Sequence, residues 1–228
     1  MKKYILFIAL TALAVNTKAQ FSYAPRIGGG LTMLKFEQPV ALLSSKAPMA
    51  GYFEIGAEAR YQLSNSFSVE SGLIYNYRTY KTDLSYTLLS INVYSNKTTS
   101  HLHYLNIPLE IVYRKKSGGL YAGAGINLGI GIAGKRKEEI SLLTAKTDST
   151  RSYEFDGNAS ANLSHLKRLN TGISLKVGYA FKNYFVGINS ILGLSNISPD
   201  NGYSFKTSSF GIHAGMVLGC CCKKKKKK

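Results

Sequence analysis

The 228-residue chain carries 29 Lys and Arg against 12 Asp and Glu, a formal charge of +17, with 16 Tyr, 22 Gly and no Trp. Much of that excess is terminal. Without Lys2, Lys3, Lys18 and the six C-terminal lysines, 20 bases face 12 acids, so charge gives no ground for a nucleic-acid partner. The only three cysteines, Cys220–Cys222, are consecutive, which excludes an internal disulfide framework and any zinc-type spacing.

In chain order, Lys2 and Lys3 precede the apolar run YILFIALTALAV (4–15) and a small-residue site at Thr17-Lys18-Ala19. This pattern predicts a signal peptide over 1–19, and the run is too short for a spanning helix. Alternation of apolar and polar residues then recurs in eight segments, near 23–34, 50–62, 67–80, 102–114, 120–133, 169–181, 184–196 and 207–218. Period-two alternation puts one parity on each face of a strand. Ten to fourteen residues is the length of a tilted membrane-crossing strand.

One parity is almost free of charge, as in Phe53, Ile55, Ala57, Ala59 and Tyr61, or Ile173, Leu175, Val177, Tyr179 and Phe181. The other carries glycines together with Arg26, Glu54, Glu58, Arg60, Glu70, Arg78, Glu110 and Lys176. Connections near 63–66, 115–119 (KKSGG) and 182–183 are short, with Arg114, Lys115, Lys116 and Lys182 counted at their rim, whereas those near 35–49, 81–101, 134–168 and 197–206 are long. Short turns at one rim and long loops at the other predict an all-β fold, an eight-stranded antiparallel up-and-down transmembrane barrel spanning 20–218. Lipid tolerates no open edge, so the sheet must close. The rival is a soluble ligand-carrying barrel with the apolar parity inside. Tyrosines and phenylalanines at the ends of the apolar parity favour the membrane, where such residues line the interfaces. The last ten residues, 219–228, form a Cys/Lys tail that is expected to be disordered.

Three stretches carry a family likeness: GYFEIGAEARYQLSNSFSVESGLIYNYR (51–78), YLNIPLEIVYR (104–114) and YFVGINSILGLSNIS (184–198). They resemble strands of the PorT-like outer-membrane β-barrels of the Bacteroidetes. The resemblance implies an outer-membrane location and eight strands. It implies little about activity, with only some members linked to a secretion apparatus. The chain departs from such barrels in lacking a terminal aromatic, since its last strand ends at Leu218-Gly219.

An eight-stranded barrel is just wide enough to be filled by side chains. Four inward acids (Glu54, Glu58, Glu70, Glu110) against four inward bases (Arg26, Arg60, Arg78, Lys176) sum to zero. That balance suits a buried structural ion-pair network plugging the lumen, whereas a selective pore would show one dominant sign. The expected function is therefore non-enzymatic, structural or in adhesion or assembly, through basic loops. Outer-membrane lipid, including lipopolysaccharide phosphates, and secretion or assembly proteins are the expected partners. A small-solute pore is the second reading. A hydrolase is the third, since His101, His103 and His165 lie near the long-loop rim with Ser100, Ser164, Asp83 and Glu154, although no spacing ties them together. His101 and His103 share a face without a third ligand, so neither a metal nor a cofactor is expected. Pro108 is the odd residue of its strand. A closed barrel has no free edge for a missing N–H, so a bulge or an absent ladder bond is expected there.

Overall fold

The computed structural model describes residues 21–37, 44–88, 91–115, 119–142, 145–155, 165–198 and 204–218. The expected signal peptide and the Cys/Lys tail lie outside these residues. Ten strands occur in chain order: β1 (Phe21–Glu37), β2 (Ser44–Lys46), β3 (Ala50–Gln62), β4 (Phe67–Leu88), β5 (Ile91–Arg114), β6 (Gly119–Leu142), β7 (Ala145–Ser152), β8 (Leu169–Phe181), β9 (Tyr184–Gly193) and β10 (Ser204–Met216).

Eight of them close a ring in the order β1, β3, β4, β5, β6, β8, β9, β10, and β10 pairs back onto β1. All neighbours are antiparallel. The closing ladder runs unbroken from Arg26 opposite Gly215 to Glu37 opposite Ser204. β2 and β7 are short additions paired to β4 and β6.

The parity rule decides which face is which. Ile55, Ile111 and Ile212 are 49%, 61% and 66% exposed, while their inward neighbours Glu54, Glu110 and His213 are 1%, 5% and 2% exposed. Apolar side chains thus cover the outside and polar ones fill the inside, the reverse of a soluble ligand-carrying barrel. Such a surface is stable only where its surroundings are as apolar as it is. At the short-turn end the outer band finishes in aromatic pairs, Phe21 with Tyr23 and Tyr61, Phe67 with Tyr113, and Phe181 with Tyr184.

Three strands run further than the alternation indicated. The connections expected near 81–101 and 134–168 are largely strand, because β4 continues to Leu88, β5 starts at Ile91, β6 reaches Leu142 and β7 folds back along it. At roughly 3.3 Å per residue, the 24 residues of β5 far outrun an apolar band of about 25 Å. Beyond that band the outer face meets water and the buried inner face is polar, with Thr98, Ser100, Arg136 and Glu138, so apolar alternation stops while the backbone ladder goes on. In β6 a bulge assists. Register against β5 shifts between His103 and Tyr104, the outward Ile132 and Ala133 share the irregularity, and the inward parity moves from odd residues ending at Gly131 to Gly134, Arg136 and Glu138. In this extension Arg136 pairs with Glu138 on the inner side. Exposed Lys137 and Glu139 pair on the outer side at 2.9 Å; their mutual hydrogen bond holds the lysine above its ordinary pKa and the glutamate below it.

Candidate functional site

Three layers fill the barrel interior. Nearest the short turns, Ala24, Val112, Tyr121, Ala180 and Phe185 form an apolar closure. Nearest the long loops, Tyr80, Leu102, Tyr104, Phe155, Leu166 and Ile197 form another. Charged and polar side chains occupy the space between.

Arg26 on β1 is the first junction. Its Nη2 pairs with Glu54 and its Nη1 with Glu58 Oε1 at 2.5 Å. Glu54 also accepts from Asn76 Nδ2 at 3.2 Å and Asn189 Nδ2 at 3.4 Å, so amides from β4 and β9 complete its solvation. Lys176 on β8 is the second junction. Its Nζ lies 2.8 Å from Glu70 Oε2, 2.5 Å from Glu110 Oε2 and 3.6 Å from Glu58 Oε1. Glu70 further receives Arg60, its facing neighbour across the β3–β4 ladder. A run of glycine makes room for these long side chains. A Cβ on Gly123, which faces Lys176, would sit 2.9 Å from Val112 and 3.2 Å from the lysine stem, so glycine gives the Nζ its path across the lumen.

The structure therefore brings Arg26, Glu54, Glu58, Arg60, Glu70, Glu110 and Lys176 into one connected cluster. Arg78 stands apart from it. It is 1% exposed, donates to Asn76 Oδ1 at 3.3 Å and lies 5.5 Å from the Tyr104 ring centre, with no carboxylate in ion-pair range among the described residues. Arg114 joins the cluster instead, although its place beside the KKSGG turn suggested a rim cation. Its Nη2 reaches Glu70 Oε1 at 3.1 Å and its guanidinium covers Tyr121 at 5.0 Å. Below the strand extension the four-to-four inward count is thereby corrected to five bases against four acids, and the inward Arg136–Glu138 pair adds one of each above it. Parity contained the signal, because Arg114 shares the even register of Glu110 and Val112. The asparagines Asn76, Asn106, Asn127 and Asn189 are a second omission, all buried on the same inward register.

Pro108 is inward and buried. Its pairing with Asn127 on β6 is intact. On the β4 side, paired residues run to Ser71 opposite Leu109 and resume at Ile74 opposite Asn106, in the same register. The irregularity is a gap in the ladder without a bulge. Beside it lies a cavity of about 20 Å³, lined by Asn106, Pro108, Glu110, Asn127 and Ser174, among others, which is room for about one water.

The histidines considered for hydrolysis do not converge. His101 and His103 lie on the outer face, bonded to Tyr77 and Tyr75. Ser100 points the other way, to the Tyr153 hydroxyl at 2.7 Å. His165 Nδ1 is 3.8 Å from Glu154 Oε2, and Asp83 faces Lys97. Ser164 lies outside the described residues.

A family model described as an outer membrane protein beta-barrel domain matches residues 16–198. No curated protein matches the chain by sequence. Among solved structures, the attachment invasion locus protein Ail of Yersinia pestis is similar at 13% identity and a TM-score of 0.40, over 86% of this chain and 99% of that one. Neisserial surface protein A follows at 12% identity and a TM-score of 0.38, over 85% of this chain and 96% of that one. The outer membrane protein OprG of Pseudomonas aeruginosa gives 11% identity and a TM-score of 0.37, over 90% and 100% respectively.

Proposed function

Since the chain belongs to the outer membrane β-barrel domain family and resides in the outer membrane, we propose that it is a non-conducting, non-enzymatic barrel acting through its extracellular strand extension, in adhesion or in assembly with other proteins. The observation that carries this reading is the sealed lumen. Apolar closures sit at both ends, and between them Arg26, Arg60, Arg114 and Lys176 pair with the four buried carboxylates. An ion crossing this interior would have to displace Lys176 or Arg26 from carboxylates that hold them, which costs several kcal/mol for each buried partner left unpaired.

The extension supports the second half of the proposal. β4, β5, β6 and β7 carry a sheet past the apolar band, with β7 exposed along nearly all of its length. A strand of that kind offers backbone groups and short polar side chains to a partner. The closer kinship with PorT-like barrels, carried by YLNIPLEIVYR, belongs to the same proposal.

Planar-bilayer recording of the refolded full chain tests the sealed lumen. The expected result is a current indistinguishable from protein-free membrane. Reproducible unitary steps would overturn the reading in favour of a small-solute pore.

A further inference from the structure

On the outer wall of β4, β5 and β6 the side chains change character in sharp rows. Leu73, Leu105 and Ile107 belong to the apolar band, with Ile126 and Leu128 beside them on β6. Tyr75 of β4 stands opposite Leu105, Tyr77 stands opposite His103 of β5 one row further out, and His101 follows one row beyond that. The Tyr75 hydroxyl lies 2.6 Å from His103 Nδ1 and the Tyr77 hydroxyl 2.7 Å from His101 Nδ1. Tyr77 also stacks on His101, with ring centres 5.8 Å apart and planes 8° from parallel. Both imidazoles are thus held at fixed orientation on a rigid ladder.

Orientation has a chemical consequence. With each tyrosine hydroxyl hydrogen-bonded at Nδ1, Nε2 is the ring nitrogen turned away from the tyrosine, and it is an N–H donor in the tautomer whose Nδ1 accepts the tyrosine proton. Lysines flank this pair of N–H donors. Lys135 of β6 faces His101 directly across the ladder. Lys81 of β4 faces Thr99, diagonally beside His101. Both lysines are exposed, and neither has an ion-pair partner among the described residues. Lys137 is occupied by Glu139. In the next row out, Asp83, Lys97 and Glu139 are mixed in sign. The histidine and lysine donors thus occupy three successive rows, Tyr77–His103, Thr79–His101–Lys135 and Lys81–Thr99, just beyond the Tyr75–Leu105 row.

At that depth in the outer leaflet of an outer membrane stand the phosphate groups of phosphorylated glycolipid. We propose that His101, His103, Lys81 and Lys135 form a phosphate-binding patch on the barrel wall that holds lipid A beside the base of the strand extension. Acyl chains lie on Leu105, Ile107 and the neighbouring apolar residues. The tyrosines fill the interface, and the phosphate accepts from the lysine ammonium groups and the imidazole N–H groups. This charge-assisted contact is made to the membrane itself and does not depend on whether the lumen conducts.

Native mass spectrometry of the full chain, released from detergent after incubation with defined lipids, tests the patch. Three lipids are compared: bisphosphorylated lipid A, the same lipid A with its phosphates removed, and phosphatidylglycerol. The wild-type chain is expected to retain bisphosphorylated lipid A at least about fivefold over each of the others. Lys135→Ala with His101→Ala is expected to erase that preference, at about fivefold per cation removed near the surface. Lys146→Ala on β7 should leave it unchanged. Heat-modifiable gel mobility of every variant verifies the folded barrel. Equal retention with and without phosphate, equal retention of phosphatidylglycerol, or an unaltered preference in the folded double variant would each overturn the assignment.

Discussion

Glu70 and Glu110 stand directly opposite each other in the β4–β5 ladder, two carboxylates on the inner face of adjacent strands. Like charges in that position repel, and the lumen offers no bulk water to screen them. Lys176 resolves the conflict from β8, placing one ammonium 2.8 Å from Glu70 and 2.5 Å from Glu110. Three strands from different parts of the chain are thus tied by one cation, and the tie exists only once the ring has closed.

Lys176→Met should therefore destabilise the barrel by about 3–5 kcal/mol, because it leaves Glu110 buried without its cation directly opposite Glu70. Adding Glu110→Gln to that variant should recover a large part of the loss by removing one of the two charges. Urea unfolding in micelles, followed by tyrosine fluorescence and gel mobility, reads both effects. A Lys176→Met barrel as stable as wild type would contradict the role given to this lysine.

The gap between Ser71–Leu109 and Ile74–Asn106 is assigned to the missing N–H of Pro108. Pro108→Ala restores a donor toward β4. The amide so introduced should be protected from hydrogen exchange, with a gain in stability of about 0.5–1.5 kcal/mol if the bond forms with ordinary geometry. Rapid exchange of that amide in the folded variant would mean that something other than the proline opens the ladder.

The β8–β9 turn holds Lys182 at a φ of 54°, in the left-handed region where a Cβ is strained. Lys182→Gly removes the strain, and the expected gain is about 1 kcal/mol in the same urea titration. No gain would indicate that contacts of the lysine stem offset its backbone cost. Neighbouring Asn183 should be unaffected, since its carbonyl still accepts from Val217 N–H at 2.6 Å.

Much of the wall was legible in the residues. β3 and β8 occupy Ala50–Gln62 and Leu169–Phe181, the same bounds that alternation marks, because a strand between lipid and a packed lumen must alternate at every step. The extension of β4, β5 and β6 was not legible. Thr98, Thr99 and Ser100 continue the ladder past the lipid, where no apolar parity is demanded and even the buried face is polar, so strand and polar loop read alike. Arg114 shows the opposite failure. Its parity pointed inward, but adjacency to Lys115 made it look like a turn residue, and only the reach of its guanidinium to Glu70 settles its place.

The order of apolar and polar residues by itself determined a closed membrane wall and which face meets lipid, since both follow from a period of two and the cost of an unpaired backbone in hydrocarbon. It also put Arg26, Glu54, Glu58, Arg60, Glu70, Arg78, Glu110 and Lys176 on the inward face, where all are buried. Their partners were decided only by the tertiary structure. Arg26 binds Glu54 and Glu58 from β3, Lys176 gathers carboxylates from β3, β4 and β5, and Arg78 is left to amide and aromatic neighbours. Parity assigns a face, whereas pairing depends on the stagger of strands around the ring and on how far each side chain reaches across the lumen.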